Sequence, residues 1–296
     1  MNVIVFGGSG FLGSHLADAL SDAGHAVTIF DCVKSSWLQV RQVFIDGDIL
    51  DYDQVRKAIK GMDYVYHLAG VADISQAIID PKMTLKINVI GSTNIIEACK
   101  EEKVKRLLFA SSLYVYSQQG SFYRVSKQAV ESIIEAYNEQ YGIEYTILRY
   151  GSLYGPRAQD WNGLKSFIVQ AVKDRRIVYP GNGEERREYI HVKDAANLSV
   201  RALEGEFANQ CLTLTGTQIL STKEVMKMIQ EIIGQDIDIN FSMVDPDFST
   251  YHYSLTPYRY NPKRGMKIVP TVFIDLGQGI LDMVEEAESQ LDSDYT

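Results

Sequence analysis

Tyr123 and Lys127 stand four residues apart in the run Tyr123-Arg124-Val125-Ser126-Lys127. On a helix, positions i and i+4 share one face. A phenol titrating near ~10 is a weak base at neutral pH, and a neighbouring ammonium favours its phenolate. Such a pair can take the proton of an alcohol while hydride leaves the same carbon. Among 18 tyrosines, with lysine at roughly one position in twenty, about one such spacing arises by chance. The motif therefore gains its weight from its order in the chain. Ser111 and Ser112 close an apolar run just ahead of it, where a hydroxyl can hold the reacting oxygen; Ser112 is the first choice.

A hydride needs an acceptor, and the N-terminus offers a site for one. The first apolar run ends in Gly7-Gly8-Ser9-Gly10-Phe11-Leu12-Gly13. Gly7, Gly10 and Gly13 permit a tight turn, close approach of the Phe11 and Leu12 backbone to a pyrophosphate, and tight helix–strand packing. The helix that follows adds its N-terminal dipole. Asp31 ends the second run, where a carboxylate accepts hydrogen bonds from the adenosine ribose and repels a 2′-phosphate. This favours NAD over NADP. Asp48, after the third run, is within reach of the adenine.

These residues need a sheet to bring them together. Strands are expected at 2–6, 26–30, 42–45, 64–67, 106–111, 145–149 and 211–215, rich in Val, Ile, Phe and Tyr. Helical patterns at 12–23, 53–60, 83–102, 122–141 and 193–203 alternate with them. Alternation of this kind implies a parallel sheet covered on both faces. The expected fold is α/β: a Rossmann-type parallel sheet of about seven strands with a smaller α/β substrate-binding lobe. After Pro156 the rhythm changes, with helices at 162–175 and 221–233, the second opened by a Ser221/Glu224 capping box. The division is 1–156 for the dinucleotide-binding domain, with 192–216 returning to it, and 157–191 with 217–296 for the lobe. The acidic tail 285–296 is expected to fray.

Bulk properties exclude several classes. A net charge of −9 gives no basic face for nucleic acid. No apolar run approaches the ~18 residues of a membrane span, and no signal-peptide pattern opens the chain. Cys32, Cys99 and Cys211 have no metal-ligand spacing and read as buried, reduced thiols of a cytoplasmic protein. No metal site is expected.

Together these residues resemble the extended short-chain dehydrogenase/reductase family, in its NAD-dependent nucleotide-sugar epimerase/dehydratase branch. The resemblance runs from Val3 to about Thr215, through segments 5–13, 47–50, 67–70, 88–99, 110–116, 123–127, 148–157 and 187–196. It implies cofactor contacts from Ile49, Leu68, Ala69, Gly70 and Lys127, besides those already named. It implies substrate contacts at Ser111, Tyr150, Ser152 and Arg187, with Arg187 on the diphosphate of a nucleotide sugar. A guanidinium suits that role through its bidentate fork. It also implies a homodimer through 83–102 and 122–141, whose apolar residues Ile87, Ile90, Ile95, Val130, Ile133 and Ile134 fall on more than one face.

Departures from the family pattern narrow the activity. Dehydratases and related decarboxylases carry an acid after the strand-end serine or threonine; Leu113-Tyr114 stand there instead. The family's loop between that serine and the tyrosine is shortened to 11 positions between Ser112 and Tyr123. The family's common Asn is Ser152, and 258–269 do not match its usual end. The reading is an NAD-dependent nucleotide-sugar epimerase, with 4-epimerase favoured. A nucleotide-sugar 4-ketoreductase or dehydrogenase with net redox change is the alternative. A non-catalytic dinucleotide sensor would not need Tyr123, Lys127 and Ser112 in register.

Overall fold

The computed structural model describes residues 1–217 and 219–242; the expectations for 258–269 and 285–296 lie outside them. In chain order the strands are β1 (Asn2–Phe6), β2 (Ala26–Asp31), β3 (Val43–Asp46), β4 (Tyr64–His67), β5 (Arg106–Ser112) and β6 (Tyr145–Tyr150). They continue as β7 (Ser152–Tyr154), β8 (Arg176–Pro180), β9 (Arg186–His191), β10 (Gln210–Leu214), β11 (Ile219–Ser221) and β12 (Asp238–Ser242). The helices are α1 (Phe11–Asp22), α2 (Tyr52–Ile59), α3 (Ile74–Ile79), α4 (Pro81–Leu85), α5 (Ser92–Glu101), α6 (Ser121–Tyr141), α7 (Gly163–Asp174), α8 (Val192–Arg201) and α9 (Thr222–Ile233).

Seven strands form one sheet in the order β10-β6-β5-β4-β1-β2-β3, and every pairing in it is parallel. Successive side chains on a strand point to opposite faces, so each buried strand feeds two cores. Val3 and Val5 of β1 meet Leu16 and Leu20 of α1 and Ala195 of α8 on one side. Ile4 and Phe6 meet Val55 of α2, Ile95 of α5 and Val130 of α6 on the other. The order reverses direction between β1 and β4, the kind of crevice where open α/β sheets take ligands.

Two small sheets follow, β11-β9-β7 and β12-β8. Their own core gathers Ala171, Ile177, Tyr179, Met226 and Ile229. Ser221 and Glu224 close the expected capping box on α9. Among the described residues no helix is long and apolar enough to cross a membrane.

Some expectations need correction. The stretch 83–102 is not one helix. Asp80 caps α4 with Pro81 at its first turn, and a π-helical turn, Lys86–Gly91, separates α4 from α5. The wide turn lays Gly91 against Ile49, where a Cβ would meet Ile49 Cδ1 at 2.6 Å. Cys99 is buried, but Cys32 and Cys211 are exposed; Cys32 follows the end of β2 and Cys211 lies on the outermost strand of the sheet. Ile95, Val130 and Ile134 face the sheet and are buried, so they form no second stripe. The exposed apolar residues of this region include Met83, Ile90, Phe122, Val125 and Tyr141.

Candidate active site

A cavity of about 1220 Å³ runs along the carboxyl ends of β1, β2, β4, β5 and β6, and is walled opposite by α7, β8 and β9. Pockets for one drug-sized ligand span roughly 300–1,000 Å³, so this one has room for two ligands side by side.

At one end lies the glycine turn. Gly7 has φ +77°, and a Cβ on it would meet Ala69 N at 2.6 Å. A Cβ on Gly13 would collide with the Gly7 carbonyl oxygen and meet Gly8 Cα at 2.8 Å. These two glycines serve the protein's own packing. Gly10 differs: a Cβ there would meet only the Gly7 carbonyl oxygen, at 3.3 Å. Its bareness keeps the cavity open. Gly10 is also the N-cap of α1 and supplies no side-chain cap, so the first helical N–H groups are available to an anion.

Asp31 reaches across this turn. Its Oδ2 accepts the Ser9 N–H at 3.0 Å and its Oδ1 the Val33 N–H at 3.2 Å. Two carboxylate oxygens have about four acceptor positions, so capacity remains for ribose hydroxyls. Asp48 Oδ1 accepts the Leu50 N–H at 2.9 Å. Ile49 is buried between Asp48 and the π-helical turn. Leu68, Ala69 and Gly70 continue the wall after β4. The side chain of Asn88 holds this loop, accepting the Val71 N–H at 2.7 Å and donating to the Val71 carbonyl at 3.0 Å. A glycine cradle, open helix N–H groups and a ribose-facing carboxylate fit NAD.

The reacting groups sit mid-cavity. α6 starts after Gly120, which is left-handed at φ +93°. Tyr123 lies in its first turn, half-buried, and Lys127 lies one turn on, 7% exposed. Lys127 Nζ donates to the Ala110 carbonyl at 2.8 Å. The same nitrogen is 4.8 Å from the Phe109 ring centroid and 5.9 Å from that of Tyr123. Burial pushes the Lys127 ammonium down to about 8, with the Glu131 charge pulling the other way. Lys127 is therefore charged at neutral pH and close to titration. Ser112 Oγ accepts the Tyr114 N–H at 3.3 Å.

Every residue singled out in the sequence as a candidate lines this one cavity: Tyr123, Lys127 and Ser112, the cofactor set from Gly7 to Gly70, and Ser111, Tyr150, Ser152 and Arg187. Two of them have their polar groups committed elsewhere. Ser111 Oγ donates to Glu131 Oε1 at 2.5 Å. The Tyr150 hydroxyl pairs with Ser199 Oγ at 2.6 Å inside the core, and burial raises its titration well above that of a free phenol. Ser152 lies on β7, paired with Tyr189 of β9, two residues beyond Arg187.

Glu131 escaped the sequence reading. It stands four residues beyond Lys127, so Tyr123, Lys127 and Glu131 follow one helix face. Glu131 Oε2 accepts Arg149 Nη2 at 2.7 Å, and Oε1 accepts Arg149 Nε at 3.0 Å. Arg149 Nη1 donates to the Tyr116 hydroxyl at 2.5 Å. Burial opposes the Arg149 charge, but the Glu131 bonds and charge outweigh it and raise its titration. The 4-4 spacing was a visible signal; the partner on β6 was not.

This arrangement has counterparts. The model of the NAD dependent epimerase/dehydratase family matches residues 3–210. A putative UDP-glucose 4-epimerase of Methanocaldococcus jannaschii is 30% identical over 78% of this chain and 82% of its own. A UDP-glucuronic acid decarboxylase of Xenopus tropicalis is 28% identical over 81% of this chain and 62% of its own. The crystal structure of UDP-glucuronic acid 4-epimerase from Bacillus cereus, in complex with UDP-glucuronic acid and NAD, superposes with a TM-score of 0.79 at 25% identity. That match covers 88% of this chain and 90% of the other. The family match spans the glycine turn, Asp31, the strand-end serines and the Tyr123–Lys127 helix alike, so this chain belongs to the NAD dependent epimerase/dehydratase family and is an NAD-dependent enzyme.

Proposed function

We propose that this protein is a nucleotide-sugar 4-epimerase. The observation that carries the reading is the single cavity in which the glycine turn and Asp31 lie at one end, Tyr123, Lys127 and Ser112 in the middle, and Arg187 on the opposite wall. The glycine turn, Asp31, Asp48 and the 68–70 loop would hold NAD, whose nicotinamide would supply a reversible hydride acceptor. Tyr123 takes the proton of the sugar hydroxyl. Lys127, buried beside the Tyr123 ring, favours the phenolate by its charge. Ser112 Oγ steadies the reacting oxygen, and Arg187 binds the diphosphate.

Loss of water or carbon dioxide needs a further acid–base group beside the sugar. The segment after Ser112 offers the buried Leu113 and the aromatic Tyr114. Among the described residues, the carboxylates lining the cavity are Asp31, Asp48, Asp73 and Asp160, none of them on that segment. This supports epimerisation over the decarboxylation named for one of the relatives.

The test is redox balance. The substrate should convert to its C4 epimer over many turnovers with no net NADH formed. Tyr123→Phe should keep ligand binding and lose turnover by roughly 10²–10⁴-fold. Steady NADH formation or consumption, one per product, would replace the epimerase with a dehydrogenase or ketoreductase. We also read the segments 157–191 and 217–242 as the substrate lobe; the rest of the expected 217–296 lies outside the described residues. The exposed Met83, Ile90, Phe122 and Val125 are read as a homodimer face, which light scattering at micromolar protein would refute by returning a monomer mass.

A further inference from the structure

We propose that Tyr114 is the sugar-binding wall of the cavity: its ring takes the apolar C–H face of the hexose and fixes which carbon meets Tyr123. The inference rests on the nucleotide-sugar reading and goes beyond it by naming what holds the sugar.

Position comes first. Between Ser112 and Tyr123 the chain has only ten residues, and of these Tyr114 alone lines the cavity. Its ring meets the Tyr123 ring edge-on, with centroids 6.1 Å apart and planes at 80°. A sugar carbon whose hydroxyl is close enough to give its proton to Tyr123 therefore lies near the Tyr114 ring.

Rigidity comes second. The Tyr114 N–H is tied to Ser112 Oγ at 3.3 Å, and its carbonyl accepts the Ser117 N–H at 2.9 Å. The ring also lies on Gly120, where a Cβ would meet Tyr114 Cδ1 at 2.6 Å. Gly120 is thus bare for two reasons, its left-handed φ and the aromatic ring against it. The same glycine starts α6, so the platform and the base are set by one turn. A wall held in place before binding loses little freedom when a ligand arrives.

Chemistry comes third. A pyranose has polar edges and an apolar face of C–H bonds carrying partial positive charge, and an aromatic face is negative. The shortened loop removes the chain that would otherwise flank the sugar, and one aromatic side chain takes over that surface.

The test compares each nucleoside diphosphate with its glucose conjugate by calorimetry on the NAD-loaded protein, using the UDP, dTDP, GDP and CDP pairs. For the pair that binds best, Tyr114→Ala should weaken the conjugate about tenfold, the loss of one aromatic contact with its buried area. It should leave the free diphosphate almost unchanged, and Tyr114→Phe should bind the conjugate as the parent does. A conjugate held equally well by the Ala variant overturns the inference and leaves the nucleotide-sugar reading intact. Equal weakening of both ligands, or failure of Phe to keep the affinity, also overturns it. If the parent binds none of the eight compounds, the substrate reading itself falls.

Discussion

Glu131→Gln should destabilise the protein by about 2 kcal/mol. Breaking a buried ion pair by removing one partner costs about 3–5 kcal/mol, because a charge is left buried without its counterion. Here the side chains of Arg149 and Glu131 retain 17% and 10% exposure, so the lower end applies. Glutamine keeps one carbonyl oxygen for Arg149, which returns about 1 kcal/mol. Urea unfolding should register the loss as a lower midpoint with an unchanged slope. Adding Arg149→Met to Glu131→Gln removes the orphaned guanidinium and should recover most of the loss. A cost below about 0.5 kcal/mol, the scale of an exposed pair, would refute the reasoning. So would losses that simply add in the double variant. The same substitution removes the charge that supports the Lys127 ammonium, and the alkaline limb of the pH–rate profile should move to lower pH.

Three further outcomes can be checked. Lys127, at about 8 in the folded protein and ~10.4 when unfolded, binds fewer protons folded than unfolded between those values. Its contribution to stability therefore rises with pH across that window, while kcat/KM should fall above about pH 8 as the ammonium is lost; activity still climbing at pH 9 would contradict this. Asp31→Ala should bring NADP affinity toward that of NAD, measured by fluorescence titration, and equal affinities in the parent protein would refute the role of Asp31. Gly10→Ala should keep the melting temperature and lose NAD affinity, because its Cβ would enter the cavity, whereas Gly13→Ala should lower both, since its Cβ would strike the Gly7 carbonyl.

The seven strands of the main sheet were legible to within a residue or so because each is a short apolar run bounded by Gly, Asp or Ser. The cavity's reacting groups were legible for a related reason: they sit at strand ends and helix starts, which local sequence marks. What escaped depends on tertiary contact. β9 reads Arg-Arg-Glu-Tyr-Ile-His, too charged to look like a strand, and it forms by pairing with β7 and β11. α3 spans six residues and is too short to show a period, although Asp73 caps it. The π-helical turn is invisible in an unbroken apolar pattern, because it is fixed by Ile49 and by the Asn88–Val71 clamp. Glu131 was hidden by its partner, since Arg149 is 18 residues away and meets it through the packing of α6 on the sheet.

The strand order has a consequence for how the chain is made. β6 ends at Tyr150 and its outer partner β10 begins at Gln210, so the ribosome completes one about 60 residues before the other. At ~5–20 residues per second this interval lasts roughly 3–12 s. Throughout it, the growing sheet presents an unpaired row of N–H and C=O groups along β6, the kind of edge that recruits stray strands. Chains arrested before Gln210 is synthesised should be captured by chaperones, and chains in which Leu214 has cleared the ribosome should be released. The lobe that forms one wall of the cavity is thus also the delay during which the catalytic sheet stands open at one side.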